Sequence, residues 1–519
     1  MATGINQVPL YFFRWYHSIV IFFGCGGSLS SVGVVSTVGL PKIRMFEKDV
    51  IPIVEGGKGI AVSDGRSCGA WAAAGCVGTF SGVNADSYDS MGAYAPMVFY
   101  KKLRADRQQE LLAQSIIGGI RQAEIAHEVS SGRGAISMNV MWEMGGVELV
   151  LEGILQKASK LIDNVVCGAG MPYRLAEIAS KFGTFYSPIV SSARAFSALW
   201  KRTYHKFSEW LGSVVYEDPW LAGGHNGLSN AEDPLIPEAP YSRIARLRAV
   251  MNEFGLEHVP IVIAGGVWSL AEWRDLIRND EVGSVAFQFG TRAMLTVESP
   301  IPDKWKNALM NIEKGDVSLN KFSPTGFYSS AVRNRFLREL EERSERQVPC
   351  SYEKERDDDF AVRVWRSGRT VYVKSRYDDI VREWLEAGFS APLQTPSATL
   401  IFVSEGKAAQ ILSHQVECVG CLSRCLFSGW DQSGECRFSN SSDPRSFCIQ
   451  KTLQSVAHGG DVENELMFSG HNGYRFSRDP FYANGFVPTV QQLVDRLIDE
   501  LDASESADVA ESHLKTREA

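Results

Sequence analysis

The sequence predicts a parallel (β/α)8 TIM barrel with a smaller C-terminal α+β extension. Two observations carry this prediction. Short apolar, β-rich runs alternate with helix-period stretches over roughly 250 residues, the length of a barrel of this kind. The glycines best suited to a ligand follow the seventh run and end the eighth, where such barrels commonly hold a phosphate.

The eight runs are residues 50–54, 76–80, 135–140, 164–168, 184–190, 212–216, 259–264 and 283–289. Several are apolar without alternation, as strands covered on both faces are. Helical periodicity fills the intervals at 67–74, 104–129, 147–159, 173–181, 194–210, 241–254 and 269–278. A doubly wound open sheet is the rival, but its Gly-x-Gly-x-x-Gly turn should follow the first strand. The first run is followed instead by Glu55-Gly56-Gly57-Lys58-Gly59.

The seventh run ends Ala264-Gly265-Gly266 and the eighth ends Gln288-Phe289-Gly290-Thr291-Arg292. Glycine lets a backbone approach a ligand closely, and free loop amides suit an anion. A single Gly-Gly turn would be ordinary, because turns need glycine anyway. Two such loops on consecutive strands read as a phosphate cradle.

The sixth run leads into Asp218-Pro219-Trp220-Leu221-Ala222-Gly223-Gly224-His225. This puts His225 at the barrel's catalytic end, with Gly223 and Gly224 leaving room for a flat ligand. An imidazole suits proton transfer near neutrality. The alternative is a histidine hydrogen-bonded within its loop, and position and flanks favour catalysis. His127 reads as a helix-end residue, and His205 and His258 as packing or surface residues.

Composition narrows the class. Lys plus Arg number 53 and Asp plus Glu 61, for a net charge of −8, with 45% hydrophobic and 22% charged residues. That is an ordinary globular balance, without the basic excess of a nucleic-acid binder. Ten cysteines in 519 residues are too few for a disulfide scaffold and fit a reduced, cytoplasmic setting. Residues 1–45 read as an N-terminal extension, whose apolar run Ile19-Val20-Ile21-Phe22-Phe23 is too short to span a membrane and poorly flanked for a signal peptide.

The barrel is assigned to 46–340, a small α+β segment to 341–417, a cysteine-containing segment to 418–502 and a fraying polar tail to 503–519. Within the α+β segment, 362–365 and 370–373 read as a hairpin, 377–387 as a helix and 399–403 as a strand. Cys418, Cys421 and Cys425, with Cys436 and Cys448 beyond, could hold zinc or an iron–sulfur cluster, but their spacing matches neither a zinc ribbon nor a ferredoxin run. Free thiols are the favoured reading and no metal ligand is assigned. A last helix, 490–501, carries apolar residues at helical spacing and should dock on the body.

The motifs Ala222-Gly223-Gly224-His225, Ala264-Gly265-Gly266 and Gln288-Phe289-Gly290-Thr291-Arg292, with Ser329-Ser330-Ala331-Val332-Arg333-Asn334, resemble the nitronate monooxygenase (2-nitropropane dioxygenase) family of FMN-dependent barrels. The resemblance covers about 50–340. It implies FMN, with the phosphate at Gly265, Gly266, Gly290 and Thr291, and further contacts from Asn139, Gly223, Gly224, Gln288 and Phe289. Asp218 stands where relatives often have Gln or Glu. His225 matches the family's base. The implied reaction takes an alkyl nitronate and O2 to a carbonyl compound and nitrite. The alternative on the same scaffold is NAD(P)H-dependent reduction of a quinone or enoyl thioester. A further alternative is an inactive barrel serving as a metal-binding interaction platform. Expected partners are a small-molecule substrate and O2, without nucleic acid or membrane, and with a homodimer left open. Lys58 departs from the family's Met-containing loop. It either stabilises negative charge on a reduced flavin or lies on the surface.

Overall fold

The protein is described by a computed structural model covering residues 40–89, 92–365, 367–431 and 442–518, with side chains to Ser504. Most of the N-terminal extension, including its apolar run, and Cys436 lie outside the described residues.

Eight parallel strands close into a barrel: β1 (Ile53–Glu55), β2 (Val77–Ser81), β3 (Ala135–Met141), β4 (Asn164–Gly168), β5 (Phe185–Val190), β6 (Val214–Glu217), β7 (Ile261–Ala264) and β8 (Val285–Phe289). They neighbour one another in chain order, and β8 pairs with β1 to complete the ring. Around them lie α1 (Gly65–Ala73), α2 (Arg104–Ser130), α3 (Val147–Ala158), α4 (Leu175–Lys181), α5 (Ala193–Arg202), α6 (Pro240–Glu253) and the short α7 (Arg274–Ile277). This is the (β/α)8 TIM barrel.

Two expected elements are divided. The first run breaks at Pro52, which has no N–H to give a ladder. Its start, Lys48–Val50, pairs antiparallel with Ile43–Met45, and the barrel strand begins at Ile53. Met45, Phe46 and Val50 of this hairpin pack with Val54, Val166, Val215 and Val262 of the barrel interior. The fifth helical stretch stops at Arg202 and continues as the 3-10 turns Tyr204–Lys206 and Ser208–Trp210.

Alternation along the strands decides what reaches the catalytic end. On β6, Val214 and Tyr216 join the core shared with the helices, whereas Val215 faces the barrel interior. The pleat therefore turns Glu217 inward, one layer above Val215. The same argument turns Asn139 inward on β3, and Gln288 on β8 above Ala286.

Beyond the barrel, Gln347–Pro349, Thr399–Val403 and Ala391–Gln394 form an antiparallel sheet beside the hairpin Phe360–Arg363/Thr370–Val373. The following segment crosses back over the barrel mouth. Leu422, Ile449, Leu453, Val490, Leu493 and Leu497 are buried in the same core as the barrel helices. The last helix spans Val490–Glu518, longer than the 490–501 read from its apolar spacing, and its sequence contains neither Gly nor Pro to stop it. Among the described residues, no helix is long and apolar enough to cross a membrane.

Candidate active site

A cavity of about 1350 Å3, counting the part open to solvent, sits at the carboxyl ends of the strands. Its floor is the inward layer of the barrel, including Asn139, Gly168, Ile189, Glu217 and Gln288. Gly265, Gly290 and Thr291 form the wall on the β7–β8 side.

The β7–β8 wall is largely backbone. Gly265 has φ +82° and its Cα faces the β6 loop so closely that a Cβ would lie 2.9 Å from the Asp218 amide nitrogen. Gly290 is the reverse case: a Cβ there would meet nothing within 4 Å, so its exposed backbone borders open cavity. The chain from the C-terminal segment braces both loops from behind. Gly470 N donates to Thr291 Oγ1 at 2.8 Å, and Asn472 Nδ2 donates to the Gly266 carbonyl at 2.6 Å.

His225 is held by a small sheet. Gly224–His225 pairs antiparallel with Ser329–Val332, which pairs in turn with Val317–Asn320. Its Nε2 lies 2.5 Å from Ser323 Oγ, and Ser323 is 2.8 Å from Thr325 Oγ1. Phe468 packs edge-on to the imidazole at 5.6 Å between centroids. Enclosure without a nearby carboxylate drives the imidazole pKa down to about 4, because burial disfavours the charged ring. The surface it still exposes is cavity wall. A neutral imidazole at physiological pH can accept a proton.

Lys58 is not a surface residue. Its side chain is 6% exposed, and its Nζ lies 2.6 Å from Glu55 Oε1 and 3.2 Å from the Gly56 carbonyl. Glu55 is wholly buried and also accepts from Ser67 Oγ at 2.6 Å and Thr79 N at 3.1 Å. Lys58 lines the cavity, whereas Glu55 lies behind it.

Of the expected site residues, Asn139, Gly223, Gly224, His225, Gly265, Gln288, Gly290 and Thr291 line this one cavity. Asp218, Gly266 and Phe289 do not. Asp218 Oδ1 accepts from Trp220 N at 3.0 Å and Leu221 N at 2.9 Å, which shapes the loop carrying His225. Gly266 has φ +78° and lies against Leu221. Phe289 is fully buried in the core. Sequence reading missed Glu217 and the apolar far wall, which includes Leu422, Ile449, Leu453 and Phe468. Alternation along β6 could have revealed Glu217, but no local pattern announces the far wall.

Cys418, Cys421 and Cys425 are buried and Cys448 partly so, all as free thiols. Burial raises the Cys421 and Cys448 thiols well above their ordinary range. Among the described residues, no group of three or more His, Cys, Asp or Glu is arranged to hold a metal ion.

The family model for nitronate monooxygenase matches residues 44–500. The chain belongs to the nitronate monooxygenase family. The match runs through the C-terminal third, beyond the motifs that first suggested it. This enzyme is an oxidoreductase of a flavin-dependent family. Among solved structures, the enoyl reductase domain of MlnA from the macrolactin biosynthesis cluster of Bacillus amyloliquefaciens is similar at 13% identity and TM-score 0.50, over 90% of this chain and 96% of that one. A nitroalkane oxidase from Streptomyces ansochromogenes matches at 17% identity and TM-score 0.47, over 88% and 97%. FabK from Thermotoga maritima matches at 13% and 0.48, over 89% and 95%. At these identities the likeness is one of fold. No curated protein sequence matches significantly.

Proposed function

We propose that this enzyme is an FMN-dependent nitronate monooxygenase, converting alkyl nitronates and O2 to a carbonyl compound and nitrite. The observation behind this reading is convergence: a neutral imidazole, two inward amide side chains and the backbone cradle border the same cavity. The donor set fits FMN. Gly265, Gly290 and Thr291 would hold the phosphate, and Asn139 and Gln288 offer amide groups for the polar edge of the ring. Bound FMN supplies the electron transfer that links nitronate to O2. His225 would take the proton from the carbon beside a neutral nitro group, or orient a nitronate already formed.

A second reading is reduction of a quinone or enoyl thioester by NAD(P)H. The far wall favours it, since Ile449, Leu453 and Phe468 give a quinone ring or an acyl chain an apolar surface to pack on. That the similar MlnA structure is an enoyl reductase domain is consistent with it. Anaerobic mixing of the FMN-loaded enzyme with propyl nitronate or NADPH separates the two. Bleaching of the flavin band by nitronate alone is expected. Bleaching by NADPH alone replaces the proposal with the second reading. A folded protein that takes up no FMN overturns both.

A further inference from the structure

Glu217 ends β6 and is turned into the cavity by the same pleat that brings Asn139 and Gln288 there. Its backbone is tied down, pairing with Ala264 of β7. Its carboxyl group, by contrast, has no hydrogen-bond or ion-pair partner among the described residues. Every other acidic group near it is engaged. Glu55 is paired with Lys58 and held by Ser67 and Thr79. Asp218 accepts two loop amides and the Tyr216 hydroxyl at 3.3 Å.

The charged groups around Glu217 do not neutralise it. Asp218 follows directly in the chain and disfavours a second negative charge. Arg243, behind Tyr216 and Asp218, is committed to Glu232 at 2.6 Å and Glu238 at 3.2 Å. Lys58 shares the cavity but its ammonium is bound to Glu55, and His225 is uncharged. Burial first, and Asp218 second, push the Glu217 carboxyl up to about 8. A carboxylic acid kept protonated this way is a donor with nothing in the protein to donate to.

We infer that Glu217 is a substrate-binding acid: its neutral carboxyl O–H donates a hydrogen bond to an anionic or carbonyl oxygen of the ligand that enters the cavity beside His225. The ligand class is an oxyanion such as a nitronate, or a carbonyl oxygen that gains negative charge. This rests on the proposed function for the identity of the ligand but not for the state of Glu217. An ionised Glu217 would repel the same oxygen, so nitronate binding should weaken as pH rises through about 8.

The test uses Glu217→Gln, which keeps a donor but cannot ionise, and Glu217→Leu, which removes it. In the ligand-free protein at pH 7, the infrared spectrum should contain a protonated-carboxyl band that disappears near pH 8 and is missing from E217Q. With FMN-loaded enzyme, the KM for propyl nitronate at pH 7 should rise about 10- to 100-fold in E217L, the value of a hydrogen bond to a charged group. In E217Q it should stay within about threefold, with the alkaline rise in KM abolished. An unchanged KM in E217L, or an alkaline limb preserved in E217Q, overturns the inference. So does the absence of the infrared band from wild type. If wild type binds neither FMN nor nitronate, the proposed function fails while the infrared result still decides Glu217.

Discussion

Replacing Lys58 by Met should separate a buried, working cation from an ornamental one. The Lys58–Glu55 pair has side chains 6% and 0% exposed, so solvent cannot screen Glu55 once the ammonium is gone. Breaking a buried pair on one side typically costs about 3–5 kcal/mol, because a charge is left uncompensated. Glu55 would keep two donors, Ser67 Oγ at 2.6 Å and Thr79 N at 3.1 Å. That places the expected loss at the lower end, about 3 kcal/mol, or roughly a hundredfold in the folding equilibrium. The double variant E55Q/K58M has no charge to strand: the Gln carbonyl can accept from Thr79 N while its amide NH2 donates to Ser67 Oγ, which as a hydroxyl can take either role. It should recover to within about 1.5 kcal/mol of wild type, since replacing both partners of a buried pair is far milder than removing one. Urea unfolding of the apoprotein at pH 7, with the slope checked for constancy, measures all four corners of the cycle. A K58M loss under about 1 kcal/mol, the range of exposed pairs, would refute the reasoning. So would a double variant no more stable than the single.

Four further outcomes follow from the site and its supports. His225→Ala should lower turnover of a neutral nitroalkane by about 10²–10⁴, the usual contribution of a general base, and turnover of a preformed nitronate much less. Because His225 stays unprotonated above about 4, wild-type activity on the nitroalkane should hold level from pH 7.5 down to 5.5, and an acid limb near the ordinary histidine pKa would contradict the enclosed imidazole. Gly290→Val puts a side chain where no protein atom lies within 4 Å, so the fold should survive by circular dichroism while FMN uptake, followed by quenching of flavin fluorescence, is lost. Arg292→Met should destabilise by about 3–5 kcal/mol and expose the C-terminal segment to limited proteolysis. The reason is that Arg292, fully buried, donates to Tyr482 Oη at 3.0 Å and to the Trp268 carbonyl, and lies 3.4 Å from Asp479.

The barrel was legible because its physics is local. A strand covered on both faces is apolar almost throughout, as Ile261–Ala264 of β7 is, and glycines at its end let the chain turn away. The glycine turn after β7 was legible for the same reason, since Gly265, at φ +82°, answers to backbone geometry at its own position. What escaped depends on contacts between residues far apart in the chain. Leu453 and Phe468 carry no local mark of a binding wall, and they become one only because the chain crosses back over the barrel mouth after an intervening sheet. Glu217 and Asp218 show the boundary between the two cases. The sequence presents them as equivalent neighbours, and family resemblance points to Asp218. The pleat sends them apart: Asp218 turns to the loop amides of Trp220 and Leu221, and Glu217 faces the cavity with no partner. A motif can mark the loop that carries His225, but only the register of β6 against the interior layer says which carboxyl meets the ligand.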